Sequence, residues 1–284
     1  MATQTSFTAD PAKAYPGLLA DEAFNEIVST VVDHGTPGSS IEPGLLVMRT
    51  SGGDRAVSTP AAVAADDDAI LVALATSASQ QVLDTEADGV IALGRISPPR
   101  KITITRSSHA NQDAVTAVLA GLDENGLPVT ENIAFADVGG EVLTSTLFYS
   151  YFTSLTIPAQ GGTGGTTAIG VAGVSGVSLE GGDVMGVSVR TQKGLITPSS
   201  SNNENYEDSD QMPVLRKGRI FVTVENAFRA GDVVLVRLVA AGAEALGGFR
   251  VQTTDSGDAA PCKRARLISS GSAGELGVLE VDFT

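Results

Sequence analysis

The chain has 284 residues, of which 18 are Lys or Arg and 33 are Asp or Glu, giving a formal net charge of −15. Affinity for a phosphate backbone comes from clustered cations that release counterions, so this balance excludes a basic nucleic-acid binder. Hydrophobic residues make up 42% and charged residues 18%, which argues against wholesale disorder, and the length fits two domains or one large all-β unit.

With 32 Gly and 12 Pro and only 5% aromatic residues, the chain is punctuated too often for long helices. Residues 1–17 are small and polar and read as an extended N-terminal arm. In 21–33 the apolar positions Phe24, Ile27, Val28 and Val31 follow helical spacing, yet the run becomes β-branched, so helix and strand both stay open. Short β-prone runs then recur at 45–48, 70–74, 90–93 and 102–104, and the stretch 61–69, with Asp66, Asp67 and Asp68, separates two of them. The runs 113–122 and 127–135 flank Asp123-Glu124-Asn125-Gly126, and Asn-Gly between β-prone runs is a strong hairpin signal. Aromatic and apolar runs at 147–152 and 155–157 lead to the glycine break at 161–165. Residues 99–172, opened by Pro98-Pro99, therefore read as a β unit of their own. Strand character resumes at 184–190, the polar block 199–211 reads as an exposed loop, and 220–224, 233–238 and 249–252 are again β. At the end Leu279, Val281 and Phe283 alternate with Glu280 and Asp282, which predicts a strand with one wet face. Gly182-Asp183-Val184 and Gly231-Asp232-Val233 each open a valine-rich run ending in Arg, a weak repeat of turn chemistry.

The lone Cys262 closes no intramolecular disulfide, so stability must come from packing or oligomerisation. Residues 1–15 lack a basic segment leading into an apolar run, and apolar stretches such as 70–75 are too short to span a bilayer, so the expectation is a soluble, unprocessed chain with no membrane partner.

Catalytic chemistry is scarce. Histidine, the usual proton carrier near neutral pH, occurs only as His34 and His109, and both read as surface or capping residues. No G-x-S-x-G nucleophile elbow stands out. Neither Asp66, Asp67 and Asp68 nor Glu207, Asp208 and Asp210 has the alternating spacing of a calcium loop, so solvated acidic loops, no metal and no cofactor are expected. The run Gly161-Gly162-Thr163-Gly164-Gly165 lacks the lysine and helix of a phosphate cradle and reads as a flexible turn. Arg216, Lys217 and Arg219 form the densest basic cluster, suited either to an acidic partner or to pairing with the chain's own carboxylates. Cys262 precedes Lys263, Arg264 and Arg266, cations able to lower a thiol pKa, although a buried thiol is the better fit.

Three sets of motifs resemble one known family. Ala14-Tyr15-Pro16-Gly17-Leu18-Leu19-Ala20-Asp21 is similar to its opening signature. Pro213-Val214-Leu215-Arg216-Lys217-Gly218-Arg219-Ile220-Phe221-Val222, Ala230-Gly231-Asp232-Val233-Val234 and Thr254-Asp255-Ser256-Gly257-Asp258-Ala259 are similar to its C-terminal core, and Ser269-Ser270-Gly271-Ser272-Ala273-Gly274 before the last strand also fits. The family is the capsid cement, or decoration, proteins of tailed bacteriophages, and the likeness covers 14–98 and 173–284 loosely. It implies an all-β protein with a β-sandwich or barrel-like cement domain built from 1–98, with the arm, and 173–284. The middle unit 99–172 is similar to immunoglobulin-like modules and reads as an insertion. The resemblance further implies a homo-oligomer, dimer or trimer, on the outer surface of the head, contacting the major capsid protein and performing no catalysis. Tyr15, Pro16, Leu18 and Leu19 would anchor the arm, and Arg216, Lys217 and Arg219 would make electrostatic contacts with the capsid. Two rival readings are a surface adhesin whose middle unit binds host glycan, and a hydrolase with a dispersed triad.

Overall fold

The computed structural model describes residues 14–20, 25–33, 40–50, 52–84, 95–137, 140–190, 205–239, 244–251 and 257–284. Among them the chain is all-β, with several antiparallel sheets and a single 3-10 turn at Val174–Gly176. In chain order the first strands are β1 (Glu26–Val32), β2 (Ser40–Ile41), β3 (Leu46–Arg49), β4 (Ala56–Ser58), β5 (Asp66–Ala75), β6 (Gln81–Leu83) and β7 (Arg95–Arg100). Next come β8 (Ile102–Arg106), β9 (Thr116–Asp123), β10 (Pro128–Ala134), β11 (Val142–Thr144), β12 (Tyr149–Ile157) and β13 (Thr166–Val171). The last are β14 (Val184–Ser188), β15 (Tyr206–Glu207), β16 (Gln211–Thr223), β17 (Val233–Arg237), β18 (Phe249–Val251), β19 (Ala259–Leu267) and β20 (Leu276–Asp282).

The largest sheet has nine strands in the order β1-β4-β3-β14-β16-β20-β19-β17-β18, and β1 also pairs with β16. That extra pairing closes β1, β4, β3, β14 and β16 into a ring, which removes two open edges. The 21–33 segment is settled as a strand: β1 lies antiparallel to β16, with Val28 opposite Val214, and parallel to β4, with Val32 opposite Val57. Between the two possibilities left open by the spacing, strand wins because β-branched residues are easily held in an extended chain once two partner strands are in place. Of the four apolar positions read in that segment, Phe24 lies outside the described residues.

Two cores flank this sheet. Side chains alternate along each strand, so Leu46 and Met48 of β3 enter one core while Val47 enters the other, and Leu215 and Val214 of β16 divide in the same way. The larger core gathers Val222, Val236, Phe249, Leu267, Leu279 and Phe283. The smaller holds Val32, Val57, Met185 and Met212, with Ile41 and Tyr206 from the two-stranded sheet β15-β2. The Tyr206 hydroxyl donates to the Val189 carbonyl, so the buried phenol keeps a partner. Part of the expected polar loop at 199–211 thus carries a core residue, and its first part lies outside the described residues.

A third core sits between two further antiparallel sheets, one of order β11-β8-β13-β5 and one of order β10-β9-β12-β6, with β7 also paired to β12. Ile104 and Ile169 from the first sheet and Leu119, Phe152 and Leu155 from the second share it. Ile70, Leu71 and Leu83 belong to the same core, so β5 and β6 pair and pack with this unit although they precede position 99. Pro98 and Pro99 are buried inside β7. Asp66, Asp67 and Asp68 are exposed as expected, but as the first turn-free residues of strand β5 rather than as a loop. The predicted hairpin is present: β9 and β10 pair from Leu122 opposite Pro128 onward. Gly126 takes φ +77° at its tip, and the Asp123 carboxylate accepts from the backbone N–H groups of Asn125 and Leu127.

Candidate functional site

The thirteen residues of β16 form the longest described strand, and its C-terminal half organises the most distinctive surface of the molecule. Period-two alternation sends Ile220 and Val222 into the core and leaves Lys217 and Arg219 exposed. Opposite them on β20, register places Asp282 against Lys217 and Glu280 against Arg219. Lys217 Nζ lies 2.8 Å from Asp282, and Arg219 donates to Glu280 through Nε and a terminal nitrogen at 3.3 and 3.2 Å. On the next strand Arg266 stands against Glu280 and pairs with the same carboxylate. These contacts hold both acids in the charged form. The Lys217 ammonium, then the Thr284 hydroxyl, lower the Asp282 pKa to about 2, and Arg266 followed by Arg219 lowers that of Glu280. Lys217 is raised in return by Asp282.

Strand β19 adds two more cations. Against β17 its register slips between the Leu235 to Pro261 pair and the Val233 to Arg266 pair, a bulge that loosens the alternation around Lys263 and Arg264. Lys263, Arg264 and Arg266 therefore border the same open groove as Lys217 and Arg219, a concavity of about 760 Å³. Lys263 also pairs with Glu180. Five of the chain's 18 cationic residues line this groove with only two carboxylates, on a molecule whose net charge is −15. The groove is thus a local positive field on an acidic body, suited to attracting an anionic partner.

On the opposite side of β16 lies the predicted arm. The Gly17 N–H donates to the Phe221 carbonyl, Phe221 N–H to Leu18 and Ala20 N–H to Arg219, with Leu19 bridged to Ile220, so 17–20 adds a short antiparallel strand. Gly17 sits at φ +80°, where a Cβ would come within 2.6 Å of the Pro43 side chain, so the turn into this strand requires glycine. Leu19 is half-buried on the large core, and Pro16 packs against Gly44. Tyr15 and Leu18 point outward, exposed by 55% and 36%, and the Arg190 guanidinium lies 4.6 Å from the Tyr15 ring centre. The two predicted clusters, nearly two hundred positions apart in sequence, thus meet at a single strand, the arm alongside β16 and the cations on it.

Of the predicted cations, Lys217 and Arg219 line the groove, whereas Arg216 turns to Glu26 of β1 and the Phe283 carbonyl. Sequence reasoning reads Lys263, Arg264 and Arg266 only as neighbours of Cys262 and so does not mark them as a surface. Their signal was available, since three cations within four residues of a half-buried strand must show a wet face. Cys262 itself is buried, and burial pushes its thiol up to about 12, so it is inert rather than activated. His109 is half-buried and accepts the Asn111 N–H on Nδ1, a turn-stabilising contact, while His34 lies outside the described residues. Among the described residues no group of three His, Cys, Asp or Glu side chains is placed to hold a metal ion, and no helix is long and apolar enough to cross a membrane.

Residues 152–282 match a family model described as structural cement protein (E217 gp24/Pam3 gp6). No curated protein matches the chain. The matched stretch runs from β12 to β20 and contains the whole basic groove.

Proposed function

From the match of residues 152–282 to the phage structural cement protein family, we propose that this chain is a non-enzymatic decoration protein of the outer head surface. It binds major capsid protein subunits, bridges them, and so stabilises the expanded shell. The family match carries this reading, and the surface chemistry supports it. An acidic body avoids adhering to packaged DNA, which favours the exterior over the lumen. The exposed Tyr15 and Leu18 beside β16, with Lys217 and Arg219 on β16 itself, give a contact face with both apolar and charged parts. Copies act as dimers or trimers, since positions on a symmetric shell favour symmetric oligomers.

The cement domain is the barrel-like ring with the rest of the nine-stranded sheet, and the middle unit is an immunoglobulin-like sandwich inserted into it. We place the insertion at 66–171, from β5 to β13. The backbone of Ala65 lies within 4 Å of where a Cβ on Gly173 would stand, so the unit leaves and returns at nearly one point. Such adjoining ends let an added domain fold without disturbing its host.

Stabilisation by a bound protein rises with occupancy. Particles carrying the protein should therefore survive heat and low ionic strength that burst particles stripped of it, and re-addition should restore resistance in proportion to occupancy. Equal resistance of stripped and decorated particles would refute the cement role. Replacing Arg216 and Lys217 with Glu should weaken attachment and flatten its salt dependence; unchanged attachment would remove both from the interface.

A further inference from the structure

We propose that the groove between β16, β20 and β19 is a docking site for a short acidic polypeptide segment of a partner protein, which the decoration reading identifies as a shell subunit. The argument starts from unbalanced pairing. Glu280 is one carboxylate serving two guanidinium groups, those of Arg219 and Arg266. Arg264 has no carboxylate within ion-pair distance among the described residues, although it is half-buried in the groove wall. A guanidinium carries five donors in a planar fork that matches a carboxylate edge, so Arg264, on β19 beside Arg266 and across β20 from Arg219, adds donors suited to a ligand with regularly spaced carboxylates.

Shape and field narrow the occupant. The groove is open and about 760 Å³ in volume, room for a few side chains rather than a folded surface. Its positive charge is local, and beyond it the chain is strongly acidic. A long polyanion such as a nucleic acid would gain at the groove and be repelled on either side, whereas a short acidic segment meets only the cations. The groove also lies across β16 from the seated arm, so one partner could engage both sides of the same strand.

The test uses the full chain and a fluorescein-labelled hexaglutamate peptide, titrated by anisotropy at low and at physiological ionic strength. Saturable binding that weakens with salt is expected. The double variant R264E/R266E should lower affinity at least tenfold. E280Q, which removes a competing carboxylate from a half-buried position, should raise affinity several-fold, a gain that misfolding cannot imitate. An oligothymidylate of equal charge should bind more weakly than the peptide. Absence of saturable peptide binding, indifference to both variants, or tighter binding of the oligothymidylate would each overturn the proposal. Decoration of stripped particles separates this inference from the reading it rests on. Wild-type protein that decorates normally while failing to bind peptide would sink the groove alone, and peptide binding without any decoration would sink the cement role alone.

Discussion

In the middle unit the strands pair with neighbours drawn from 66–171, apart from a bridge between Arg100 of β7 and Val177, and one core between two sheets serves all of them. In the nine-stranded sheet, by contrast, β16 collects β1 and the 17–20 segment from the beginning of the chain, β14 from its middle and β20 from its end. The charge is distributed just as unevenly. The basic groove and the outward arm residues sit on the sheet that spans the whole sequence, while the middle unit closes on itself. A segment that completes its own core can be added or removed as a block, whereas a strand that ties both termini together fixes the surface on which binding depends. On the proposed decoration role, attachment falls to the long-range sheet, and the middle unit is the part free to project.

The strongest way to break this comparison is to damage one core and watch the other. Phe152 is fully buried in the middle core, and its truncation to Ala should cost about 3–5 kcal/mol. Calorimetry should show one transition moving down while a second holds its temperature; a single transition shifting as a whole would show that the units are not independent. A comparable loss is expected in the other unit from Arg237→Ala. Arg237 is 3% exposed, grips both Glu225 oxygens at 2.8 and 2.7 Å and also pairs with Glu244. Its removal leaves the largely buried Glu225 carboxylate with only Arg250 at 3.8 Å, a change that costs up to about 3–5 kcal/mol. Here the transition of the nine-stranded unit should be the one that moves, and an unchanged denaturation curve would refute the buried network.

Smaller effects sharpen the picture. Gly126→Ala places a side chain at φ +77° in the hairpin and should destabilise the middle unit by about 1 kcal/mol, read from the urea midpoint. Least of all comes the acid response of the outer face. Asp282 and Glu280 have folded pKa values below their ordinary ones, so their contribution is complete above the unfolded values and fades as pH falls through the folded ones. For Asp282 the window runs from the ordinary 3.8 down to about 2. The decline in urea midpoint across it should be shallower in Lys217→Met than in the native chain. On the proposed docking, attachment should be acid-sensitive, because a partner's ordinary carboxylates lose charge near pH 4 while the groove's own pairs hold. Attachment that persists well below that pH would count against carboxylate recognition.

Much of this was legible in the residues. The Asn125-Gly126 turn declared the β9 to β10 hairpin, and the alternation of Leu279 and Val281 with Glu280 and Asp282 declared β20 with its wet face. Local chemistry decides such elements. What local chemistry does not decide was lost. The β1 strand borrows its conformation from β16, far along the chain, so its spacing pointed two ways. The Pro98-Pro99 pair looked like a boundary, yet both prolines are buried inside β7, where pairing through β12 tolerates their missing donors. At the candidate site the Arg216 to Arg219 cluster was visible as charge, but register with Asp282 and Glu280 decided which side chains face the groove. The contribution of Arg264 and Arg266 appeared only when β19 was laid beside β20.

The most direct measurement of the central claim is the molar ratio of this protein to the major capsid protein in purified particles, by quantitative mass spectrometry. A lattice-wide cement requires parity or a simple fraction of it. A handful of copies per particle would contradict that role and move the protein to a vertex or tail.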